Sequence, residues 1–242
     1  MTAANEQHNF QGATPVSWKD ATGQMYNTYA AVCKNCGLKA LRHGRENYES
    51  QTYYYLAVVP NAQSFSLKLH IYGSGPMSNY EGGSGYCPGW AVYQHLISSV
   101  TIAEGVTSVG DYAFYEEMQA IREFRISSTV KRIGQGGMYG VRLAEIRLGE
   151  NVEEVGERAI DEGSVGKFYV PATMKKMEVY PDRAIVYYQG TEEMYRRIMM
   201  RRINDVVYLR TMEEFFEDCK QGSSYYHYDN GGIPDRVKYN AW

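Results

Sequence analysis

The sequence predicts a solenoid built from short stacked repeats, an α/β repeat fold that is predominantly β. Four segments of similar pattern follow one another between residues 97 and 177, offset by 24, 22 and 22 residues. Each contains a short run of alternating branched residues, which is typical of a strand, and then small or turn-forming residues. Because one such unit cannot bury its apolar side alone, the repetition predicts stacked units with a continuous core.

Four apolar positions recur in every repeat and define the predicted core columns. Two columns lie in the strand and two lie after the turn. They are Val100, Phe124, Ile146 and Phe168; Ile102, Ile126, Leu148 and Val170; Val106, Val130, Val152 and Met174; and Val109, Ile133, Val155 and Met177.

Glycine follows the last column in the first three repeats, at Gly110, Gly134 and Gly156. Glycine at this place fits a tight bend where a side chain would crowd the neighbouring coil. The fourth repeat has Glu178 instead, which indicates that the array is ending.

The segments on either side of the repeats have patterns of their own. Tyr53–Val59 and Phe65–Tyr72 alternate around a proline-containing turn and predict a hairpin that covers the open end of the solenoid. Its core residues are predicted to be Leu67, Leu69 and Ile71.

The C-terminal part predicts short helices and one strand. Thr191 can begin a helix that runs to about residue 202, and Val206–Leu209 reads as a strand. Thr211 with Glu214 forms a capping-box pattern before a second helix. The inward residues of the two helices are predicted to be Tyr195, Ile198 and Met199, then Met212, Phe215, Phe216 and Cys219. From Ser223 the tail is rich in tyrosine and glycine.

We therefore divide the chain into four parts. Residues 1–50 are a polar, partly ordered segment, and 51–96 are an N-terminal β cap. Residues 97–184 hold four repeats, the last degenerate, and 185–242 form a C-terminal cap with helices and the tail.

Several motifs resemble those of the BspA-like leucine-rich-repeat family of bacterial surface and secreted proteins. The stretch VTIAEGVTSVGDYAF, with Ala113 and Phe114, is similar to the family's repeat. LHIYGSGPMSNY, followed by Pro88 and Trp90, resembles its N-terminal cap, and VYYQGTEEMY resembles its closing segment, with Tyr195 in place of a tryptophan. The resemblance covers residues 65–208. It implies a leucine-rich-repeat solenoid with one short strand per repeat, an N-terminal hairpin cap and a C-terminal helical closing segment. It also implies binding or adhesion at a bacterial surface.

The charge and hydropathy of the chain limit the classes of partner that it binds and its cellular location. The net charge is −3, from 25 basic and 28 acidic residues, which gives no general field for nucleic acid or an anionic membrane. No run of about 18 apolar residues exists, so we expect no transmembrane helix. The first 20 residues lack a signal-peptide pattern, so the protein is either cytoplasmic or a mature chain from which a leader was removed. The resemblance favours an extracellular or cell-surface location.

The strand residues that alternate with the core columns define a predicted open face. They form two rows, one of Ser99, Glu123, Glu145 and Lys167, the other of Thr101, Arg125, Arg147 and Tyr169. Neighbouring strands lie roughly 4.8 Å apart, so like charges repel along each row while the two rows neutralise each other diagonally. Four strands span only about 15–20 Å, which suits a peptide, a glycan segment or a small protein patch.

The open face is either a solvated charged surface or a ligand surface anchored by Arg and Tyr. In the second interpretation the candidate binding residues are Thr101, Glu123, Arg125, Glu145, Arg147, Lys167 and Tyr169.

The sequence contains no assembled catalytic or cofactor motif. The glycine runs lack the Lys-Ser/Thr of a phosphate loop, and no Ser or Cys has a nucleophile-elbow setting. Cys33-x-x-Cys36 is half of a zinc-site spacing; His43 could be a third ligand, but no fourth has standard spacing. We therefore predict no enzyme, cofactor or metal. A metal-binding or hydrolytic protein using the Cys33 and Cys36 region, and a self-assembly module, stay open as alternatives.

One basic patch invites a nucleic-acid interpretation. It lies on the predicted helix after Thr191 and comprises Arg196, Arg197, Arg201 and Arg202. Glu192 and Glu193 stand four residues before the first two arginines, which predicts a solvated, salt-bridged helix. We therefore expect a protein, peptide or glycan partner and no nucleic acid.

Overall fold

The structure is a computed structural model that describes residues 8–19, 25–47, 49–60, 65–82, 86–115, 118, 120–160, 165–179, 185–191, 193–195, 197–198 and 237–239. Short strands dominate these residues. In chain order they are β1 (Phe10–Lys19), β2 (Met25–Cys33), β3 (Lys39–Arg45), β4 (Thr52–Pro60), β5 (Phe65–Gly73), β6 (Gly75–Pro76), β7 (Ile97–Ile102), β8 (Val106–Val109), β9 (Glu123–Ile126), β10 (Arg132–Ile133), β11 (Glu145–Arg147), β12 (Glu154–Val155), β13 (Lys167–Val170), β14 (Lys176–Met177), β15 (Ile185–Tyr188) and β16 (Val237–Tyr239). A 3-10 helix covers Ala91–Leu96.

The first five strands form an antiparallel unit, with each strand paired to the next. β4 and β5 pair as the hairpin pattern predicts, and Leu67, Leu69 and Ile71 are buried. β1–β3 were not predicted; they lie within the segment that the sequence indicates to be polar and partly ordered. Pro15 lies in β1, at the edge of the sheet, where a residue without an N–H is tolerated.

The repeats contribute one strand each to parallel sheets on the open face. β7 pairs with β5 and β9 pairs with β7, so these strands extend the antiparallel unit into a seven-stranded sheet. The strands β11, β13, β15 and β16 form a separate parallel sheet. Across residues 120–160 no strand pairing joins β9 to β11. The four repeat strands therefore form two sheets, and the single four-stranded sheet that the rows predict is not observed.

A third sheet forms where the sequence predicts only a bend. The residues around the fourth core column pair in parallel from one coil to the next, in the order β14-β12-β10-β8-β6. Because the coils stack in register, even two-residue segments such as Arg132–Ile133 find partners on both sides. We call this sheet the corner sheet.

The core lies between the open-face strands and the corner sheet. All four predicted columns face it, and the residues of both kinds of strand belong to one hydrophobic cluster. Two column residues, Phe124 and Ile126, are only half-buried. Both lie in β9, the edge strand of its sheet, which has no paired neighbour on its far side.

Close backbone packing explains two glycines of the corner. A Cβ atom on Gly110 would lie 1.7 Å from the carbonyl oxygen of Ser78 in the preceding coil. One on Gly134 would lie 2.1 Å from a carboxylate oxygen of Asp111. The crowding predicted from the sequence is confirmed at these positions.

A buried carboxylate ties the antiparallel unit to the start of the repeats. Glu46 follows β3 and accepts hydrogen bonds from Thr52 Oγ1, from the Ser78 N–H at 3.0 Å and from the Tyr80 hydroxyl at 2.8 Å. Burial raises the pKa of Glu46 despite these three donors. Burial, together with the carboxylate of Glu46, also raises the pKa of Tyr80.

The described C-terminal residues include the start of a helix. Residues 193–195 and 197–198 are helical, and Thr191 Oγ1 accepts a hydrogen bond from the Met194 N–H at 3.3 Å. Tyr195 and Ile198 are buried, and Glu193 pairs with Arg197 at 2.5 Å. The other C-terminal predictions lie outside the described residues: the Glu192–Arg196 pair, Met199, the strand Val206–Leu209, the helix after Thr211 and the tail before residue 237.

Candidate functional site

The open face of β7 and β9 carries the first half of the predicted ligand surface. Ser99 pairs with Glu123, and Thr101 pairs with Arg125, as the two rows predict. Arg125 Nε lies 2.5 Å from Glu123 Oε1 on the same strand. Both charged side chains are largely exposed, so this ion pair contributes at most about 1 kcal/mol to the free energy of unfolding.

The second half of the predicted surface lies on β11 and β13. Glu145 pairs with Lys167, and Arg147 pairs with Tyr169. Glu145 contacts two cations, Arg147 Nη2 at 2.8 Å and Lys167 Nζ at 3.7 Å. Opposite charges on this half are therefore paired both within one strand and between neighbouring strands.

The like charges of each row are not on paired strands. Glu123 and Glu145 lie on strands of different sheets, as do Arg125 and Arg147. Each glutamate instead contacts the arginine two residues later on its own strand. The structure thus brings the predicted residues together as two groups on either side of the β9–β11 break.

Arg147 begins a stacked ladder of side chains. Its guanidinium carbon lies 3.6 Å from the centroid of the Tyr169 ring. Tyr169 stacks on Tyr187 of β15, with ring centroids 4.6 Å apart and planes 11° from parallel. Because it lies between these two groups, Tyr169 is only 9% exposed, although its row faces away from the core. Tyr187 is not among the predicted binding residues, because it lies beyond the fourth aligned repeat.

Aromatic side chains on β4 and β5 extend the first half of the open face. His70 pairs with Thr101 across the β5–β7 junction. The His70 ring stacks on Tyr55 at 4.9 Å, and Tyr72 stacks on Tyr53 at 5.7 Å. Alternation within the predicted hairpin could have identified His70 and Tyr72, because they alternate with the buried Leu69 and Ile71.

A second aromatic group lies in the turns that follow the strands of the corner sheet, which we call the corner turns. Tyr115 contacts Tyr112 edge to face and stacks on Tyr139, with centroid distances of 5.2 Å in both cases. A shallow open pocket lies beside them and is lined in part by Trp90 and Phe114. Tyr115 and Tyr139 occupy the same position in the first two repeats, 24 residues apart, so the repeat alignment could have identified this pair, whereas Tyr112 has Gly136 as its counterpart.

Two cysteines and one histidine converge at the turn between β2 and β3. The ligand atoms of His8, Cys33 and Cys36 all lie within 4.8 Å of one another. His43, the third ligand considered from the sequence, instead stacks on Phe10 with a centroid distance of 4.8 Å.

The Cys33 thiol has a shifted pKa in this group. Burial raises it, but hydrogen bonds from His8, from the backbone N–H groups of Cys36 and Asn35, and from the Cys36 side chain outweigh burial and lower the pKa to about 6.

Among the described residues, no helix is both long and apolar enough to cross a membrane.

Comparisons with known proteins identify the repeats. Residues 91–181 match the model of the BspA type leucine rich repeat region in six copies, where the sequence alignment placed four segments. A leucine-rich repeat protein from Eubacterium ventriosum ATCC 27560 is 22% identical, with a TM-score of 0.47 over 61% of this chain and 37% of that chain. One from Bacteroides ovatus ATCC 8483 is 14% identical, with a TM-score of 0.30 over 55% and 45%.

This chain spans less than half the length of either solved relative. No curated protein matches it. The fold is a leucine-rich-repeat fold built mostly from strands. The resemblance seen in the sequence is confirmed over residues 91–181, which match leucine-rich repeats of the BspA type.

Proposed function

We propose that this chain is a non-catalytic binding protein whose open face holds a protein, peptide or glycan ligand. The observation that supports this best is the ladder of Arg147, Tyr169 and Tyr187. Arginine and tyrosine are enriched among the residues that carry most of the binding energy at protein interfaces. The stacked geometry also fixes their side chains before a ligand arrives, so little side-chain entropy is lost on binding.

The ladder lies within a nearly neutral surface. Glu145 contacts both Arg147 and Lys167, so one carboxylate offsets two cations and a small positive charge is left. Because Arg147 and Tyr187 cover the two faces of the Tyr169 ring, affinity on this half comes mainly from contact with the edges of the ladder and from hydrogen bonds to its guanidinium and hydroxyl groups. We expect only a weak dependence of affinity on salt, because few unpaired charges are left to be screened.

The first half of the open face is the second part of the proposed surface. On the seven-stranded sheet, Thr101 lies beside His70, whose ring stacks on Tyr55. Arg125 pairs with Thr101 on the next strand, which also carries Glu123. A ligand that engages both halves crosses the β9–β11 break. The two halves then contribute separately to affinity, because no backbone pairing couples their strands.

The same proposal gives roles to the flanking segments and a location to the protein. Residues 51–96 act as the N-terminal cap and residues 185–242 as the C-terminal cap, which keep the open ends of the repeat core away from water. Repeats of the BspA type are typical of bacterial surface or secreted proteins, which supports an extracellular or cell-surface location.

The test begins with a screen of the purified chain against immobilised peptide and glycan libraries. The strongest binder is then titrated against a variant in which Arg125, Arg147 and Tyr169 are all replaced by Ala. A matched control replaces three other exposed residues by Ala: Lys131, just before β10, and Glu157 and Arg158, in the turn after β12. Far-ultraviolet circular dichroism and thermal unfolding establish that both variants fold.

We expect the open-face variant to lose binding and the corner variant to keep it. Equal affinity for the two folded variants would show that the ligand binds elsewhere. Binding that is lost in the corner variant alone would move the site to the tyrosines of the corner turns.

A further inference from the structure

We propose that His8, Cys33 and Cys36 bind a zinc ion at the turn between β2 and β3, a site separate from the open face. One imidazole nitrogen and two thiol sulfurs are a donor set that zinc favours. Their ligand atoms lie within 4.8 Å of one another. Within the described residues, no other group of three or more His, Cys, Asp or Glu side chains brings its ligand atoms this close together.

The spacing of two donors already matches tetrahedral zinc. Zinc lies about 2.3 Å from a thiolate sulfur and about 2.0–2.1 Å from an imidazole nitrogen. At a tetrahedral angle, a sulfur and a nitrogen on the same ion are then about 3.5–3.6 Å apart. Nδ1 of His8 lies 3.5 Å from Sγ of Cys36. An ion can therefore join these two atoms without a rearrangement of the turn.

The backbone of the turn brings the two cysteines together. The Cys33 N–H donates to the carbonyl oxygen of Leu38, and the Gly37 N–H donates to that of Cys33, both at 2.8 Å. Gly37 has a φ of +76°, in the left-handed region that glycine adopts readily. The chain consequently folds back, and Sγ of Cys36 lies within 4.8 Å of Sγ of Cys33.

Strand register places His8 beside this turn. Phe10 pairs with Cys33, so the chain before β1 runs past the cysteines. The Lys34 N–H donates to the carbonyl oxygen of Asn9 at 2.9 Å, which fastens this segment to the turn. The imidazole of His8 packs against the rings of Phe10 and Tyr55, at centroid distances of 5.3 Å and 4.9 Å.

The site has three protein ligands, one of which is exposed. Cys33 is buried and Cys36 faces solvent, so the fourth tetrahedral position opens to water or to an incoming donor atom. Because the ligands come from the chain before β1 and from the β2–β3 turn, zinc cross-links the edge of the antiparallel unit. Metal binding to the folded chain then stabilises that unit.

A Cys33–Cys36 disulfide is the competing chemistry for the same two sulfurs, because Cys-x-x-Cys pairs also serve in redox proteins. Both residues are free thiols in the structure. The two interpretations differ in the role of His8, which the metal site needs as a ligand and the disulfide does not.

The experiment uses the full chain, reduced with a phosphine and stripped of metal by a chelator. Cobalt(II) is titrated first, because thiolate ligation and tetrahedral geometry give it a strong absorption spectrum. Zinc is then added in competition, and the melting temperature is recorded with and without zinc. The test variants are Cys36→Ser and His8→Ala. The matched controls are Cys87→Ser and His95→Ala, an exposed free cysteine and an exposed histidine outside the group.

We expect one cobalt ion per chain, displaced by zinc, and a rise in melting temperature when zinc is added. Each test variant loses more affinity than the roughly 10–100-fold that outer-shell changes cost, while the controls bind as the parent does. Because Cys36 is exposed, its replacement by serine leaves the fold intact and the comparison valid. Failure of the reduced chain to bind cobalt or zinc, or unchanged affinity in either test variant, would overturn the proposal. A chain that is isolated with a Cys33–Cys36 disulfide and binds no metal after reduction would also overturn it.

Discussion

Arg147 and Tyr169 are in direct cation–π contact on neighbouring strands, with the guanidinium carbon 3.6 Å from the ring centroid. The arginine also holds Glu145 at 2.8 Å, so its position is fixed from two sides. The contact is therefore a built feature of the sheet face, and its strength can be measured apart from any ligand.

The Arg147–Tyr169 contact predicts a measurable coupling energy. In a double-mutant cycle of Arg147→Ala and Tyr169→Leu, we expect a coupling of about 0.5–1 kcal/mol in the free energy of unfolding. Urea unfolding of the four proteins measures it. A cycle of Arg147→Ala with Ser99→Ala is the control, because Ser99 lies in the other sheet. If the two cycles give the same value, the ring and the guanidinium are not coupled.

Gly110 predicts a steric limit on the first coil. Alanine there places a Cβ atom 1.7 Å from the Ser78 carbonyl oxygen, so the backbone of one coil must move. We expect Gly110→Ala to lower the free energy of unfolding by at least about 1–3 kcal/mol, as overpacking does. This corresponds to a fall of several degrees in the melting temperature.

The matched control for Gly110 is Gly166→Ala. The new Cβ at this exposed position would lie 3.2 Å from the carbonyl oxygen of Ala144, a contact that a small shift relieves. Calorimetric melting of both variants makes the comparison. Equal destabilisation of the two would contradict the close approach of the first coil.

Glu46 predicts a pH dependence of stability. Its pKa is raised by burial above the ordinary value of 4.5. Between pH 4.5 and the raised pKa of the folded state, Glu46 keeps its proton in the folded protein and has lost it in the unfolded chain. The contribution of Glu46 to the free energy of unfolding is therefore largest below pH 4.5, falls as the pH rises through this interval, and is level above it.

Glu46→Gln removes this proton equilibrium while keeping an acceptor for Ser78 and Tyr80. We expect its stability to lack the fall that the parent shows, when the free energy of urea unfolding is measured from below pH 4.5 to neutrality. Glu46→Ala instead leaves the donors of Thr52, Ser78 and Tyr80 without their acceptor. Each donor that stays unsatisfied lowers the free energy of unfolding by about 1–3 kcal/mol. Parallel pH profiles for the parent and Glu46→Gln would rule out this role.

The repeat columns could be predicted because they depend on a local period. Val100 and Ile102 alternate within a strand, and the same spacing returns in each coil, so burial follows from the sequence alone. The close packing of Gly110 and Gly134 is predictable for the same reason. The short strands of the corner sheet were missed because two residues carry too little alternation to show a period.

The break between β9 and β11 could not be predicted, because both strands carry the same alternation. Glu123 with Arg125 and Glu145 with Arg147 are equivalent in the sequence, and only the backbone pairing separates them. β1 was missed for a related reason: Gly12 and Pro15 interrupt its pattern, although an edge strand tolerates both.

The ligand group around Cys33 shows a third kind of limit. Cys33 and Cys36 are visible as a motif, but the sequence offered His43 as the nearest histidine. His8 reaches the sulfurs only because the antiparallel register sets Phe10 against Cys33. A contact that depends on the pairing of distant strands has no signature in the spacing of residues.

The affinity of the ladder variant for an identified ligand tests the binding account most directly. Isothermal titration calorimetry would compare the parent, Arg147→Ala with Tyr187→Ala, and the corner-turn control with Glu157→Ala and Arg158→Ala. We expect at least a tenfold loss of affinity for the ladder variant, about 1.4 kcal/mol, and parent affinity for the control. Parent affinity in a folded ladder variant would contradict the claim that the open face of these repeats is the binding surface.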